Sequence, residues 1–252
     1  MNGLATPGKK YVLGGLLVGL AGLGAWWGGN PPPAQPEKEP FISYRVDGRR
    51  QELRFYWQDE QGQPFRSILS LKTWLGGHRQ RLVFATNAGM FRLGNVPLGL
   101  FIQDGKIITP LDTATGRGNF YLKPNGVFYT TTDGQAQVCA TEQFRYSRRI
   151  RYATQSGPML VINGKLHPAF RQGSTNLNIR NGVGILPGGQ VLFAMSRQKV
   201  SLYEFASYFQ RQGCRNALYL DGYVSRTYLP EQGWTQTDGD FGVMIGVSVP
   251  AR

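Results

Sequence analysis

Turn dipeptides recur between short apolar runs, and this punctuation constrains the fold more than any other feature of the chain. Residues 98–103 face residues 106–109 across Asp104-Gly105, and 159–162 face 165–167 across Asn163-Gly164. Residues 183–186 likewise face 191–195 across Gly188-Gly189. Two-residue loops of this chemistry accept positive φ and join antiparallel strands. Nearer the start, residues 41–46 and 51–57 flank Asp47-Gly48 and are predicted to pair as a further hairpin. With 34 glycines and 12% aromatic residues, many tight turns must join short, aromatic-rich elements, which excludes an all-helical bundle.

Two segments break the strand pattern. Pro64 opens a stretch in which Phe65, Ile68, Leu69 and Leu71 fall at helical spacing, so a helix is predicted over 64–75 with the proline in its first turn. Ser201 with Glu204 three residues on is a capping box, and Leu202, Phe205, Ala206 and Phe209 give one apolar face ending at Gly213. Strands are expected again at 82–87, 126–130, 217–220 and 241–249. The fold class is therefore α+β: a mixed or antiparallel sheet core with a few flanking helices, in one domain over 41–252.

Before that domain, the first ten residues carry no acid and end in Lys9 and Lys10, and Tyr11 to Trp27 contains no charge. Residues 1–29 read as an export signal or an uncleaved membrane anchor, with retention favoured. The basic flank directs the remainder of the chain across the membrane, to a periplasmic or other extracytoplasmic location, with the anchor then in the inner membrane. Residues 30–40 hold five prolines and form an extended spacer. In an oxidising compartment Cys139 and Cys214 are open to pairing or to remaining two buried thiols. The net charge of +13 suits an anionic partner, but no nucleic-acid motif accompanies it. Oligomeric state is not legible.

Only fifteen residues are acidic, so a working carboxylate can be sought by elimination. Glu37 and Glu39 lie in the spacer. Asp47, Asp104 and Asp133 precede turn glycines, and Glu204 belongs to the helix cap. Glu52, Asp59, Glu60, Glu142 and Glu231 lie in polar surroundings. Asp221 differs: it ends the apolar run Ala217-Leu218-Tyr219-Leu220 and precedes Gly222 and, shortly, Ser225. Burial and a neighbouring Arg180 or Arg226 are expected to pull its pKa in opposite directions, the tension typical of functional groups. Asp112, Asp238 and Asp240 are weaker candidates. No ligand spacing demands a metal and no cofactor is implied, although carboxylate and amide oxygens leave room for a divalent cation.

Five segments carry a resemblance: Asn87-Ala88-Gly89-Met90-Phe91, Gly118 through Phe128, Gln155-Ser156-Gly157-Pro158-Met159-Leu160, Ile179-Arg180-Asn181-Gly182-Val183-Gly184, and Asn216 through Gly222. In this order they resemble the phosphodiester glycosidase family, over roughly 82–247. The resemblance implies a hydrolase that cleaves a sugar from a phosphodiester. By position it implies Asp221 and Arg180 as catalytic, with Asn87, Gly222 and Ser225 binding substrate; Gln155, Asn181 and Lys123, from the same segments, are expected to bind substrate beside them. Ala88 and the pair Tyr223-Val224 stand where the family pattern has glycines. A phosphate monoester leaves readily, so a single acid suffices: Arg180 would meet phosphate oxygens while Asp221 activates water or stabilises an oxocarbenium-like centre. The expected function is an exported hydrolase acting on a phosphate-bearing envelope glycan or glycolipid. The alternative is a non-catalytic glycan-binding or envelope-assembly protein that keeps the fold.

Overall fold

A computed structural model describes residues 40–251; the expected signal or anchor and nearly all of the spacer lie outside the described residues. Every strand pairing within it is antiparallel, so the mixed-sheet alternative is not realised. Two ten-residue helices accompany three larger sheets, which makes the domain sheet-rich rather than an even mixture of helix and strand. Among the described residues no helix is long and apolar enough to cross a membrane.

The first sheet runs in the order Phe41–Val46, Val191–Ser196, Asn181–Ile185, Asn216–Tyr219, Met159–Ile162, Lys165–Leu166. The second runs Lys106–Thr109, Phe101–Gln103, Ile150–Ser156, Gly126–Thr131, Ala136–Ala140. The third runs Trp234–Thr235, Thr227–Leu229, Gln80–Asn87, Met244–Pro250, Leu53–Tyr56. Their inner faces share one core: Ile42, Phe193 and Leu218 from the first, Phe101, Phe128 and Tyr152 from the second, Phe55, Phe84 and Ile245 from the third. Full burial of each such side chain contributes roughly 2 kcal/mol.

Strand alternation gives the outer faces their own cores. Leu160, Leu192, Ala217 and Tyr219 point away from the central cluster and pack under a helix, α2 (Leu202–Arg211), through Phe205 and Phe209. The capping box forms as its sequence requires, with Ser201 and Glu204 each bonding the other's backbone N–H. On the third sheet, Leu82, Ala85 and Met244 pack under Ile68, Leu71 and Leu75 of the earlier helix, α1 (Ile68–Gly77). That helix starts later than its periodicity suggests. Arg66 adopts a positive φ of 61°, which no helix interior accepts, and Ser67 then caps with its hydroxyl accepting from Ser70 N. Pro64 bridges Gln58 instead of opening the helix.

The hairpins at 104–105, 163–164 and 188–189 form, with positive φ at both turn residues of each. The one expected across Asp47-Gly48 does not: Phe41–Val46 pairs with Val191–Ser196, whereas Leu53–Tyr56 pairs with Met244–Pro250. The Asp47 carbonyl still accepts from Arg50 N and Gln51 N, so a tight turn exists. It passes the chain from one sheet to another, because both strands bury their apolar faces in the shared core.

The same packing positions the site. At one end of the first and third sheets, Leu220 N donates to Asn181 O and Asp221 N donates to Ala88 O. The strands Gln80–Asn87, Asn181–Ile185 and Asn216–Tyr219 thereby converge where the chain leaves Leu220 for Asp221.

Candidate active site

Residues 221–226 form a short loop that three buried polar side chains hold in place. Asn87 Nδ2 donates to Asp221 O at 2.7 Å and Asn87 Oδ1 accepts from Arg226 N at 2.9 Å, which clamps both ends of the loop. Asn181 Nδ2 donates to Asn87 O at 2.8 Å and to Asn87 Oδ1 at 3.1 Å. Ser225 Oγ donates to Asn181 Oδ1 at 3.2 Å and lies 3.3 Å from Gly222 O. All three are at most 2% exposed, so their amides and hydroxyl are spent on the loop. The expected site residues Asn87, Asn181, Gly222, Ser225 and Asp221 are thus one assembly, and the first two position the carboxylate.

Asp221 is 8% exposed. Its carboxylate accepts from Tyr223 N at 3.2 Å, capping the 3-10 turn Gly222–Val224. Among the described residues no cation pairs with it: Arg226 is bound to Asp238 at 2.8 Å, and Arg180 is turned to other partners. Burial therefore dominates, opposed only by the Tyr223 hydrogen bond, and pushes the carboxyl up to about 6. The expected opposing pull from an arginine is absent.

Arg180 is the mirror case. Its side chain is almost wholly buried, yet among the described residues no carboxylate neutralises it. Nε donates to Val200 O at 2.8 Å, Nη2 to Asn176 O at 2.8 Å, and Nη1 to the Tyr219 hydroxyl at 3.1 Å. It lines a surface cleft of about 210 Å³ with Asn119, Arg171, Asn176 and Tyr203 among others, and no acid among the described residues lines that cleft. Tyr219 links the two charges. Its ring lies 5.4 Å from the guanidinium and its hydroxyl stands against Gly222, where a methyl group would overlap it. That close approach is why the residue after Asp221 must be glycine.

The other expected residues stand apart. Gln155 is fully buried, with Oε1 accepting from Leu100 N and Asp112 N and Nε2 donating to Asp112 O. It pins the 99–112 segment. Lys123 is exposed, donates to Thr113 O at 3.0 Å and lines a separate cavity with Thr113 and Glu142. The weaker acidic candidates are occupied: Asp238 by Arg226, Asp240 by Arg66 and Asn95, Asp112 by Ala114 N and the Tyr121 hydroxyl. Among the described residues no group of three His, Cys, Asp or Glu could hold a metal ion. Cys139 and Cys214 are free thiols in different apolar clusters, pushed by burial up to about 11 and about 12.

Tyr219 and Asn176 were not picked out from sequence. Tyr219 lies inside the run that flags Asp221, and its strand position opposite to Leu218 and Leu220 was the available signal. Asn176 lies in a loop with no local pattern.

Set beside known proteins, residues 80–247 match the model of the phosphodiester glycosidase family. The uncharacterized protein YigE of Escherichia coli (strain K12) is 34% identical over 188 residues, covering 74% of this chain and 73% of that one. The catalytic domain of zebrafish N-acetylglucosamine-1-phosphodiester alpha-N-acetylglucosaminidase, auto-inhibited by its pro-peptide, superposes with a TM-score of 0.57 at 14% identity, over 84% of this chain and 85% of that one. A hypothetical protein from Synechocystis superposes at 0.52 with 16% identity, over 83% and 59%. A Burkholderia pseudomallei protein, named as a candidate exported protein, superposes at 0.50 with 10% identity, over 82% and 73%. The family model spans the strands that converge on the site, from Gln80 to the body of the last strand, and with it the whole Asp221 loop. By that match the chain belongs to the phosphodiester glycosidase family.

Proposed function

We propose that this protein is an exported hydrolase that cleaves a glycosyl phosphodiester in an envelope glycan or glycolipid. One observation carries the reading: a buried carboxylate and a buried guanidinium flank Tyr219, and neither has an ionic partner among the described residues. Isolated buried charges are unfavourable unless something completes them. A glycosyl phosphodiester supplies both complements, a phosphate for Arg180 and a carbon that becomes positive in the transition state for Asp221.

Above a pKa near 6 the Asp221 carboxylate is ionised and can take a proton from water attacking the anomeric carbon. The departing phosphate stays charged, and Arg180 with Arg171 at the cleft stabilises it without an acid to protonate it. Asn87, Asn181 and Ser225 keep the carboxylate in place. An extracytoplasmic setting is supported by the uncharged run from Tyr11 to Trp27 and by the structural neighbour named as exported. In this reading the N-terminal segment anchors the enzyme in the inner membrane, and hydrolysis proceeds without a resident cofactor.

The test is release of phosphate monoester from a panel of sugar 1-phosphodiesters by wild type and Asp221→Asn, with EDTA as a control for a divalent cation. Turnover that the folded variant lacks supports the reading; no turnover of any member by the wild type moves the glycan-binding alternative ahead.

A further inference from the structure

Each residue of the loop after Asp221 has a partner or a packing contact, with one exception. Gly222 packs on the Tyr219 hydroxyl, Val224 packs into the cluster under α1, Ser225 is bonded to Asn181, and Arg226 is paired with Asp238. Tyr223 is the one residue of 222–226 that is fully exposed, at 98%. Its backbone N–H donates to Asp221 Oδ1, so the backbone that carries the ring is tied to the carboxylate. A single exposed apolar side chain needs no explanation on an ordinary surface. Here, however, Asn87, Asn181 and Ser225 spend buried hydrogen bonds on fixing the loop, and the ring is what that fixed loop presents.

We propose that Tyr223 is a specificity-determining wall of the site, on which the C–H face of the substrate's sugar ring stacks. This rests on the proposed glycosyl chemistry of Asp221 and adds where the sugar lies. An aromatic face offers a large contact area for few rotatable bonds, and a rigid base means little entropy is lost when a ring settles on it. With the sugar against Tyr223, its anomeric carbon lies beside Asp221 and its phosphate extends toward Arg180. Tyr223 touches only the sugar, so its removal weakens sugar-bearing ligands and leaves ring-free phosphates unaffected.

The experiment uses the full chain in detergent and saturation-transfer NMR with two probes, α-glucose 1-phosphate and glycerol 1-phosphate. Wild type and Tyr223→Phe are expected to saturate the sugar C–H protons with equal affinity. Tyr223→Ala is expected to bind the sugar phosphate about tenfold more weakly and glycerol phosphate unchanged, with an unaltered unfolding midpoint. Equal loss for both probes, no loss for either, or no saturation of the sugar by the wild type overturns the proposal. Assaying phosphate release by the wild type alongside separates the two readings: selective loss at Tyr223 without turnover keeps the stacking wall and removes the hydrolase.

Discussion

Asp104-Gly105 and Asp221-Gly222 are the same dipeptide put to opposite uses. Asp104 has a positive φ of 47° at a hairpin tip, and its side chain is 60% exposed, accepting from the Tyr152 hydroxyl and lying 3.6 Å from Arg151. Asp221 has φ −73°, is 8% exposed and has no cation among the described residues. The difference comes from what precedes each. A half-exposed strand end, at Gln103, delivers Asp104 to solvent, whereas the buried run from Ala217 to Leu220 carries Asp221 to the seam of two sheets. Local chemistry permits a turn at both places; packing decides which carboxylate is held in a low-dielectric setting.

The widest separation between the two should appear in activity. Asp221→Asn is expected to lower kcat/KM about a thousandfold on any sugar phosphodiester the wild type cleaves, while Asp104→Asn leaves it unchanged. Next in size are the glycines. Gly222→Ala drives a methyl group into the Tyr219 hydroxyl and is expected to destabilise by about 3 kcal/mol in chemical denaturation and to abolish turnover. Gly105→Ala, strained only by its φ of 77°, should lose about 1 kcal/mol and stay active.

Stability against pH then distinguishes the carboxylates by sign. The folded pKa of Asp221 is raised, so the native state binds the proton more tightly than the unfolded chain, and native stability falls as pH rises from about 4 to about 6. Asp221→Asn is therefore expected to be more stable than wild type by about 2 kcal/mol at about pH 7.5 and equal to it below about pH 4, by thermal or urea unfolding. The smallest effect tests the clamp. Asn87→Ala should lower kcat about tenfold and stability by about 1–2 kcal/mol, since it leaves Arg226 N and Asp221 O without their partner.

Much of this was legible in sequence because it is local. The three two-residue hairpins, the Ser201–Glu204 capping box and the exceptional position of Asp221 each need only a few adjacent residues. The features that were not legible depend on distant partners. The strands on either side of Asp47-Gly48 join different sheets because each completes a different part of the shared core. Arg180 was expected to balance Asp221, but Val200 O, Asn176 O and the Tyr219 hydroxyl claim its donors. Gln155 is a buried pin between segments distant in sequence, and nothing around it distinguishes that role from ligand contact.

The most direct test of a buried, unpaired carboxylate is its own titration. Carboxyl carbon NMR of aspartate-labelled protein, with the Asp221 signal assigned by its absence in Asp221→Asn, should show a midpoint near 6. A midpoint at or below about 4, the ordinary aspartate value, would mean that a cation or solvent already satisfies the group, and would contradict the account of the site.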